Sequence, residues 1–534
     1  MSADRAQLSR AAREALSRGD LAAVQNIARN LLAASPLYSD GHYLSARVAL
    51  AQRQLKLAVK SFQECVKLDS GRLDAVVELA DLLLRMGQHG QSCAVLNAHQ
   101  SNLKKTSRAA FSAAELYSRL GLHEAALPFY KTANEIQPKV ESIKAGLAAC
   151  ATKNGELSLA IELYESLLNA NPANQRNHYE LSRLRKATSQ AHIDVMLEQL
   201  GQFDLAEKGE DSTNHIFLHF AIAKEYEDLE EWQASFEHYA KGAESAAAKS
   251  QAAGYEVTQD IAALEACREV FNQSWMLNDG QSAEGPKSVQ ISVHDKTPIF
   301  VVGLPRTGTT LVERILASHS QIGSADETFF LQAATSRMVQ AQGAGVSESL
   351  ADTLKAAAEL PPQKIMNAYL ESVDYRLSDQ PFFVDKYPFN FHYLGIVSRA
   401  MPSAKIVLLE RDPMDACVAM FRQPYFKYSY RLEDLADYYQ AYRRLIDHWC
   451  RVIPNIYVVT YENLINDTNA QIDQLLTYID VDIEPQCYRF FENKGASATA
   501  SSVQIREKVH SRSIGKWRNW QKQLNLLNKR LQSN

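Results

Sequence analysis

Four glycines, Gly19, Gly87, Gly121 and Gly155, stand at multiples of 34 residues from one another. Three prolines keep the same ruler, Pro36, Pro138 and Pro172 being separated by 102 and then 34 residues. Ala58 with Phe62, Ala126 with Tyr130 and Ala160 with Tyr164 repeat a small-x-x-x-aromatic pair in one register. A fixed period with small residues at fixed slots predicts stacked helix–turn–helix units. Small residues let the two helices of a unit approach, the glycine turns the chain between them, and the proline ends the second helix. Five units follow: 5–38, 39–72, 73–106, 107–140 and 141–174. The second and third lack the closing proline and carry Ser70 and Lys104 in its place. After Pro172 the register is lost while helical periodicity continues. It returns loosely over 216–249, with Ala223, Tyr226, Trp232 and Tyr239 in the repeat slots.

The repeats leave room for more. A chain of 534 residues suits a repeat array plus one large domain, at about 100–200 residues per domain. With 46% hydrophobic and 22% charged residues, disordered and collagen-like classes are excluded. A net charge of −5 is too mild to predict a nucleic-acid partner. No apolar run reaches the length of about 18 residues that a membrane span needs. The opening Met1-Ser2-Ala3-Asp4-Arg5 lacks the profile of a secretory signal. Seven scattered cysteines, with no C-x-x-C pair, fit a reducing compartment and neither a disulfide frame nor a zinc site. The expectation is a cytoplasmic protein without a metal.

From about Asn272 the helical rhythm stops and Gly, Ser, Asn and Asp accumulate, which predicts a linker over 272–297. Then Pro298-Ile299-Phe300-Val301-Val302-Gly303 reads as a buried strand, Leu304-Pro305-Arg306-Thr307-Gly308 as a loop, and Thr309 to Leu316 as a helix. Strand, glycine-bounded loop and helix are the layout of a phosphate cradle, where backbone N–H groups converge on an anion. Gly303 and Gly308 keep the spacing of a nucleotide-binding P-loop, but Thr309 fills the slot of its lysine. That argues against an NTPase or an ordinary kinase. Further strands are expected at Phe382–Asp385, leading into Lys386-Tyr387-Pro388-Phe389, at Lys405–Glu410, and at 456–460, ahead of Tyr461-Glu462-Asn463-Leu464. Arg411, at the carboxyl end of its strand, sits where α/β folds bind ligands. The tail from 503 to 534 holds eight Lys/Arg against one acidic residue, a ligand-closing loop or a solvated helix.

Two resemblances give these features a meaning. The 34-residue units resemble tetratricopeptide repeats, whose concave face is a groove for a peptide or protein partner, or else a packing scaffold. The segment from about 298 to 519 resembles the sulfotransferases, and most narrowly the tyrosylprotein sulfotransferases, as in bacterial repeat–sulfotransferase fusions. The resemblance rests on the Pro305-Arg306-Thr307-Gly308-Thr309-Thr310 loop and on Arg411-Asp412. It rests also on Glu327 twenty-one residues after Arg306, on Lys386-x-Pro388-Phe389, and on Ser513-Ile514-Gly515-Lys516-Trp517-Arg518-Asn519. It implies an α-helical repeat solenoid (5–174), a helical extension (175–271), the linker, and an α/β P-loop-like domain with a mostly parallel sheet (298–534).

The donor so implied is 3′-phosphoadenosine 5′-phosphosulfate (PAPS), leaving 3′-phosphoadenosine 5′-phosphate (PAP). Thr309, Thr310 and the loop amides would hold its 5′-phosphate, and Arg411 and the Lys516–Arg518 loop its 3′-phosphate. Trp517 would stack near the adenine or simply pack. Arg306 and Lys386 would face the departing phosphate, and Glu327 would take the acceptor's proton, with Asp326, His319 and His392 as other bases. The family's serine eight residues beyond Arg411 is Ala419 here, its contact missing or supplied by a neighbour such as Arg422. The acceptor is a hydroxyl or phenol: a tyrosine in a peptide or protein, a carbohydrate or a small metabolite. An inactive repeat scaffold is the alternative from another class.

Overall fold

The computed structural model describes residues 2–206, 215–277, 296–343, 349–493, 495–497, 499 and 506–532. The chain divides into two compact units, Met1–Cys150 and Ala151–Asn534. The division falls inside the fifth expected repeat and not at its end at 174.

In the first unit the helices come in pairs: Ser2–Ser17 with Leu21–Ala34, Ser39–Ala51 with Leu55–Leu68, Leu73–Arg85 with His89–Ala98, and Ser107–Arg119 with His123–Ile136. The turn of each pair needs one residue in the left-handed region. Gly19, Gly87 and Gly121 sit there with φ of 75–76°, and in the second pair Arg53 takes the same place at φ 58°. Ala58, Phe62, Ala126 and Tyr130 are buried where the helices of a pair meet. In the third unit Ser92 and Leu96 fill those slots and are equally buried. The Ser92 hydroxyl is tolerated because it donates to the Ala80 carbonyl at 2.7 Å.

The second unit opens with helices that extend the same theme. We label Gln175–Leu184 α1, Ile216–Asp228 α2 and Trp232–Ala252 α3. The α2–α3 hairpin is the loosely matching repeat: it turns at Glu230, φ 64°, and Ser235 donates to the Ala223 carbonyl at 2.8 Å. The expected 272–297 linker starts differently. Gln273–Leu277 is a short helix, pinned by Trp275, whose indole N–H donates to the Ala358 carbonyl at 2.9 Å. Residues 278–295 lie outside the described residues.

A parallel sheet follows: β1 Thr297–Gly303, β2 Ile322–Ser324, β3 Phe382–Asp385, β4 Lys405–Glu410 and β5 Ile456–Thr460, in the order β2-β3-β1-β4-β5. Both faces are covered, which is why the central strands read as unbroken apolar runs. Phe300, Val302 and Leu408 join a core with Leu218, Phe220 and Tyr239 of the helical extension and with Trp449 and Trp520. Ile299, Val301, Val407 and Leu409 pack the other face, against Val312, Ile315 and Leu476. Helix α4, Thr309–Leu316, follows β1, and helix α5, Pro413–Phe421, follows β4. Chain order reverses around β1, so the carboxyl ends of β1, β3 and β4 frame a crevice of the kind where open α/β sheets bind ligands.

Candidate active site

The loop between β1 and α4 is shaped by its backbone. Gly303 has φ 148°, and a Cβ there would lie 2.6 Å from the Leu409 carbonyl oxygen. Arg306 and Gly308 both take positive φ, 69° and 103°. A Cβ on Gly308 would meet the Tyr461 ring at 2.7 Å. The Thr307 hydroxyl donates to the Leu304 carbonyl at 2.7 Å, closing the turn. Its side chain is therefore spent on the loop, and Thr307 is not among the residues that line the adjoining cavity. Pro305, Arg306, Gly308, Thr309 and Thr310 are. The first N–H groups of α4 have no partner within the helix and carry the positive end of its dipole, a setting for an anion.

That cavity has a volume of about 810 Å³ and is strongly basic. Arg411 ties two of its walls together: its guanidinium donates to the Arg306 carbonyl at 2.8 Å and the Ser513 carbonyl at 2.6 Å. It also lies over the Tyr461 ring at 4.6 Å. The C-terminal loop is held from below by Asp415, which accepts from the Gly515 and Trp517 N–H groups at 2.5 and 3.5 Å. Lys516 and Trp517 line the cavity, whereas Arg518 does not. The Arg518 guanidinium instead lies 5.2 Å from the centre of the Trp517 ring. Arg306 is ringed by like charge. Burial, with the guanidiniums of Arg183, Arg422 and Arg411 around it, pulls its pKa down to about 10.

A cation–carboxylate pair stands at the end of β3. Lys386 is 1% exposed, and its ammonium donates to Glu327 Oε2 at 2.5 Å, with Glu313 3.9 Å away. Burial works against that charge, but Glu327, Glu313 and Asp326 more than offset it and hold the Lys386 pKa above its ordinary value. Glu327 keeps 30% of its side chain exposed and lines the cavity with Lys386. Glu313, on α4, is buried under the pair and bonded by the Ser324 hydroxyl at 2.7 Å. Desolvation pushes its pKa up. Asp385 does not reach Lys386. It accepts from Thr328 at 3.0 Å, Tyr369 at 2.8 Å and Asn390 at 3.1 Å, and so fixes the segments on either side of the pair.

Three other candidate bases lie away from the cavity lining. Asp326 faces Arg376 at 3.8 Å. The His319 ring bonds the Asp482 carbonyl at 2.8 Å, and His392 that of Phe389 at 3.0 Å. Burial lowers the His392 pKa to about 4.

The remaining wall comes from the helical extension, which no motif announced. Glu227, at the end of α2 and 5% exposed, pairs with Arg422 at 2.6 Å and with Lys516. Tyr239 donates to its other oxygen at 3.1 Å. Burial alone would raise the Glu227 pKa, but the two cations outweigh it and hold it low. Ala419 lines the cavity, and Arg422 stands one turn further along the chain. Nε of Arg411, Nε of Arg422 and Nε1 of Trp517 are buried without a hydrogen-bond partner among the described residues. Three orphaned donors in a basic cleft fit a ligand with several anionic oxygens.

Comparison with known proteins agrees with this geometry. Residues 298–485 match the sulfotransferase family and residues 107–140 the tetratricopeptide repeat. The stretch that carries the parallel sheet is thus similar to the sulfotransferase family, and one helix pair of the first unit to the tetratricopeptide repeat. A protein of unassigned function from Aquifex aeolicus (strain VF5) is 30% identical over 239 residues, which is 43% of this chain and 31% of that protein. The chain therefore spans less than a third of that relative's length. Protein-tyrosine sulfotransferase 1 of Danio rerio is 22% identical over 42% of this chain and 66% of its own. Among solved structures, the sulfotransferase domain from the curacin biosynthetic pathway is 16% identical over 44% of this chain and 98% of its own, with a TM-score of 0.29.

Proposed function

We propose that the protein is a PAPS-dependent sulfotransferase acting on a hydroxyl or phenol, foremost a tyrosine in a peptide or protein. One observation carries the reading: the Lys386–Glu327 pair opens onto the same cavity as the Arg306–Thr310 cradle. The donor supplies an activated sulfuryl group on a 5′-phosphate. The amides of Thr309 and Thr310 and the Arg306 side chain bind that end, where negative charge grows as the phosphate departs. Lys516 and Arg422, on the opposite wall, hold the 3′-phosphate, and Arg411 keeps both loops in register. Arg422 does for the donor what the serine replaced by Ala419 would do.

Glu327 orients the acceptor and removes its proton during attack. Lys386 is paired with Glu327 beforehand and then faces the charge that leaves. The protein's contribution is position and electrostatics, as in phosphoryl transfer. Met1–Cys150 offers a repeat groove to a peptide or protein partner. All seven cysteines are free thiols, which supports a cytoplasmic setting.

The test is to incubate the full chain with ³⁵S-labelled PAPS and cell lysate. Label on tyrosine residues, absent with Glu327→Gln, is expected; label no higher than with that variant overturns the reading. Ala419 favours a second reading, a scaffold without turnover. A folded protein that binds no PAP would select it.

A further inference from the structure

Two of the cations that line the cavity are held by one buried carboxylate from the helical extension. Glu227, at the end of α2, pairs through Oε1 with Arg422 at 2.6 Å and with Lys516. Its Oε2 accepts from the Tyr239 hydroxyl at 3.1 Å. All four residues line the cavity, but unequally: Glu227 keeps 5% of its side chain exposed, Arg422 21% and Lys516 30%. The carboxylate is the buried member, while each cation keeps an open face. The seat beneath them is aromatic. Arg422 lies 5.8 Å from the centre of the Tyr239 ring and 5.6 Å from that of Trp520. Trp520 is buried, meets Trp232 edge-on at 5.6 Å and donates its indole N–H to the Trp232 carbonyl at 2.9 Å. Lys516 is thus fixed twice. Asp415 on α5 accepts from the N–H groups on either side of it, and Glu227 on α2 takes its ammonium.

We propose that Glu227 is a positioning residue for the donor's 3′-phosphate: it sets Arg422 and Lys516 side by side, so that the two bind that phosphate as one unit and the protein selects a 3′-phosphorylated nucleotide over its 3′-hydroxyl counterpart. The inference rests on the donor reading above. A guanidinium and an ammonium drawn to one oxygen atom repel each other, and the carboxylate between them is what keeps them together. With two cations to one carboxylate, the cluster keeps a surplus of positive charge for an incoming anion. Burial and the Arg422 guanidinium hold the Lys516 pKa below its ordinary value even with Glu227 in contact. Arginine and lysine are among the side chains with the most rotamer freedom to lose on binding a ligand. A contact that fixes both in the free protein removes that cost. The helical extension is then a part of donor recognition and not a spacer between repeats and enzyme.

The test needs no acceptor and no sulfuryl group. The full chain and its Glu227→Ala variant are titrated calorimetrically with PAP and with adenosine 5′-phosphate, which lacks only the 3′-phosphate. Charge-assisted contacts predict that wild type prefers PAP about 10-fold or more. They predict also that Glu227→Ala weakens PAP about 10-fold or more and adenosine 5′-phosphate less than about 3-fold. A brace that merely held the fold would move both ligands together, so a parallel loss overturns the inference. Unchanged affinities overturn it as well. So does tighter PAP binding by the variant, which would make Glu227 a competitor of the phosphate for its two cations. Should Glu227→Ala fail to fold by circular dichroism, Glu227→Gln, which keeps the shape and loses the charge, decides by the same criterion: PAP weakened more than adenosine 5′-phosphate supports the proposal, and any other pattern refutes it. A folded wild type that binds the two ligands equally overturns this inference while the 5′-phosphate cradle stands; one that binds neither refutes the donor reading itself.

Discussion

The repeat turns and the cradle loop use the same backbone conformation for different ends. In the helix pairs of Met1–Cys150 the left-handed residue only reverses the chain. Glycine fills it at 19, 87 and 121, but Arg53 fills it too, and Glu230 fills the matching place in the α2–α3 hairpin. The position constrains φ and little else. In the domain built on the parallel sheet, positive φ falls on Gly303, Arg306 and Gly308 in the cradle and on Asp326 next to the Lys386–Glu327 pair. There the unusual backbone shapes the wall of the basic cavity that Arg306 and Gly308 line. Strain tolerated for topology can move between residue types; strain kept for chemistry is tied to particular residues.

The largest expected effect sharpens that contrast on the side of chemistry. Glu327→Gln should lower sulfate transfer about 10²–10⁴-fold, the usual share of a general base. PAP affinity, read by calorimetry, should stay the same. A variant with unchanged turnover would remove the base from Glu327.

Next comes the anchor between the helical extension and the C-terminal loop. Glu227→Ala leaves Arg422 and Lys516 without their buried counter-charge and should cost about 3 kcal/mol in urea unfolding, at the low end for breaking a buried ion pair. A cost near zero would mean that the extension does not brace the site.

Acid should distinguish the second unit by its histidines. Burial lowers His178 to about 4, and His392 to about 4. A histidine held below its ordinary value is neutral in the fold and gains a proton on unfolding. Its stabilising share is complete above about 6.5 and is lost as pH falls from there toward 4. Each should cost about 2 kcal/mol by pH 5. Thermal melts at pH 7.5 and pH 5 should show the loss, and His178→Phe should reduce it.

The smallest effect tests the repeat side. Arg53→Gly should stabilise by about 1 kcal/mol, because glycine relieves the left-handed cost. Arg306→Gly offers no such separation: whatever it does for the backbone, it removes the cation from the cradle.

Much of this was legible in the chain before folding. The β3, β4 and β5 boundaries coincide with the apolar runs at Phe382–Asp385, Lys405–Glu410 and Ile456–Thr460. A strand buried on both faces has no polar alternation to blur its ends. β2, Ile322–Ser324, was not legible, since three residues carry no period. Arg306, Glu327, Lys386, Arg411 and Lys516 were singled out from the loop, the strand ends and the motif resemblance, and all five line one cavity. Glu313, Asp415 and Glu227 were not singled out, because each makes its contact only on folding. Glu227 meets Lys516 at a separation of 289 residues, and nothing in a helical sequence marks such a partner. Thr307 and Arg518 were placed by their neighbours in the motif, but the fold turns Thr307 into the loop and Arg518 onto Trp517.

The central claim is that the Arg306 cradle and the Lys516 loop hold one doubly phosphorylated nucleotide between them. Calorimetric titration of the full chain with PAP tests it most directly. The account predicts one-to-one binding, weakened about 10-fold or more by Arg306→Ala as a charge-assisted contact is lost. A folded protein that takes up no PAP, or an Arg306→Ala variant that binds it as tightly as wild type, would contradict it.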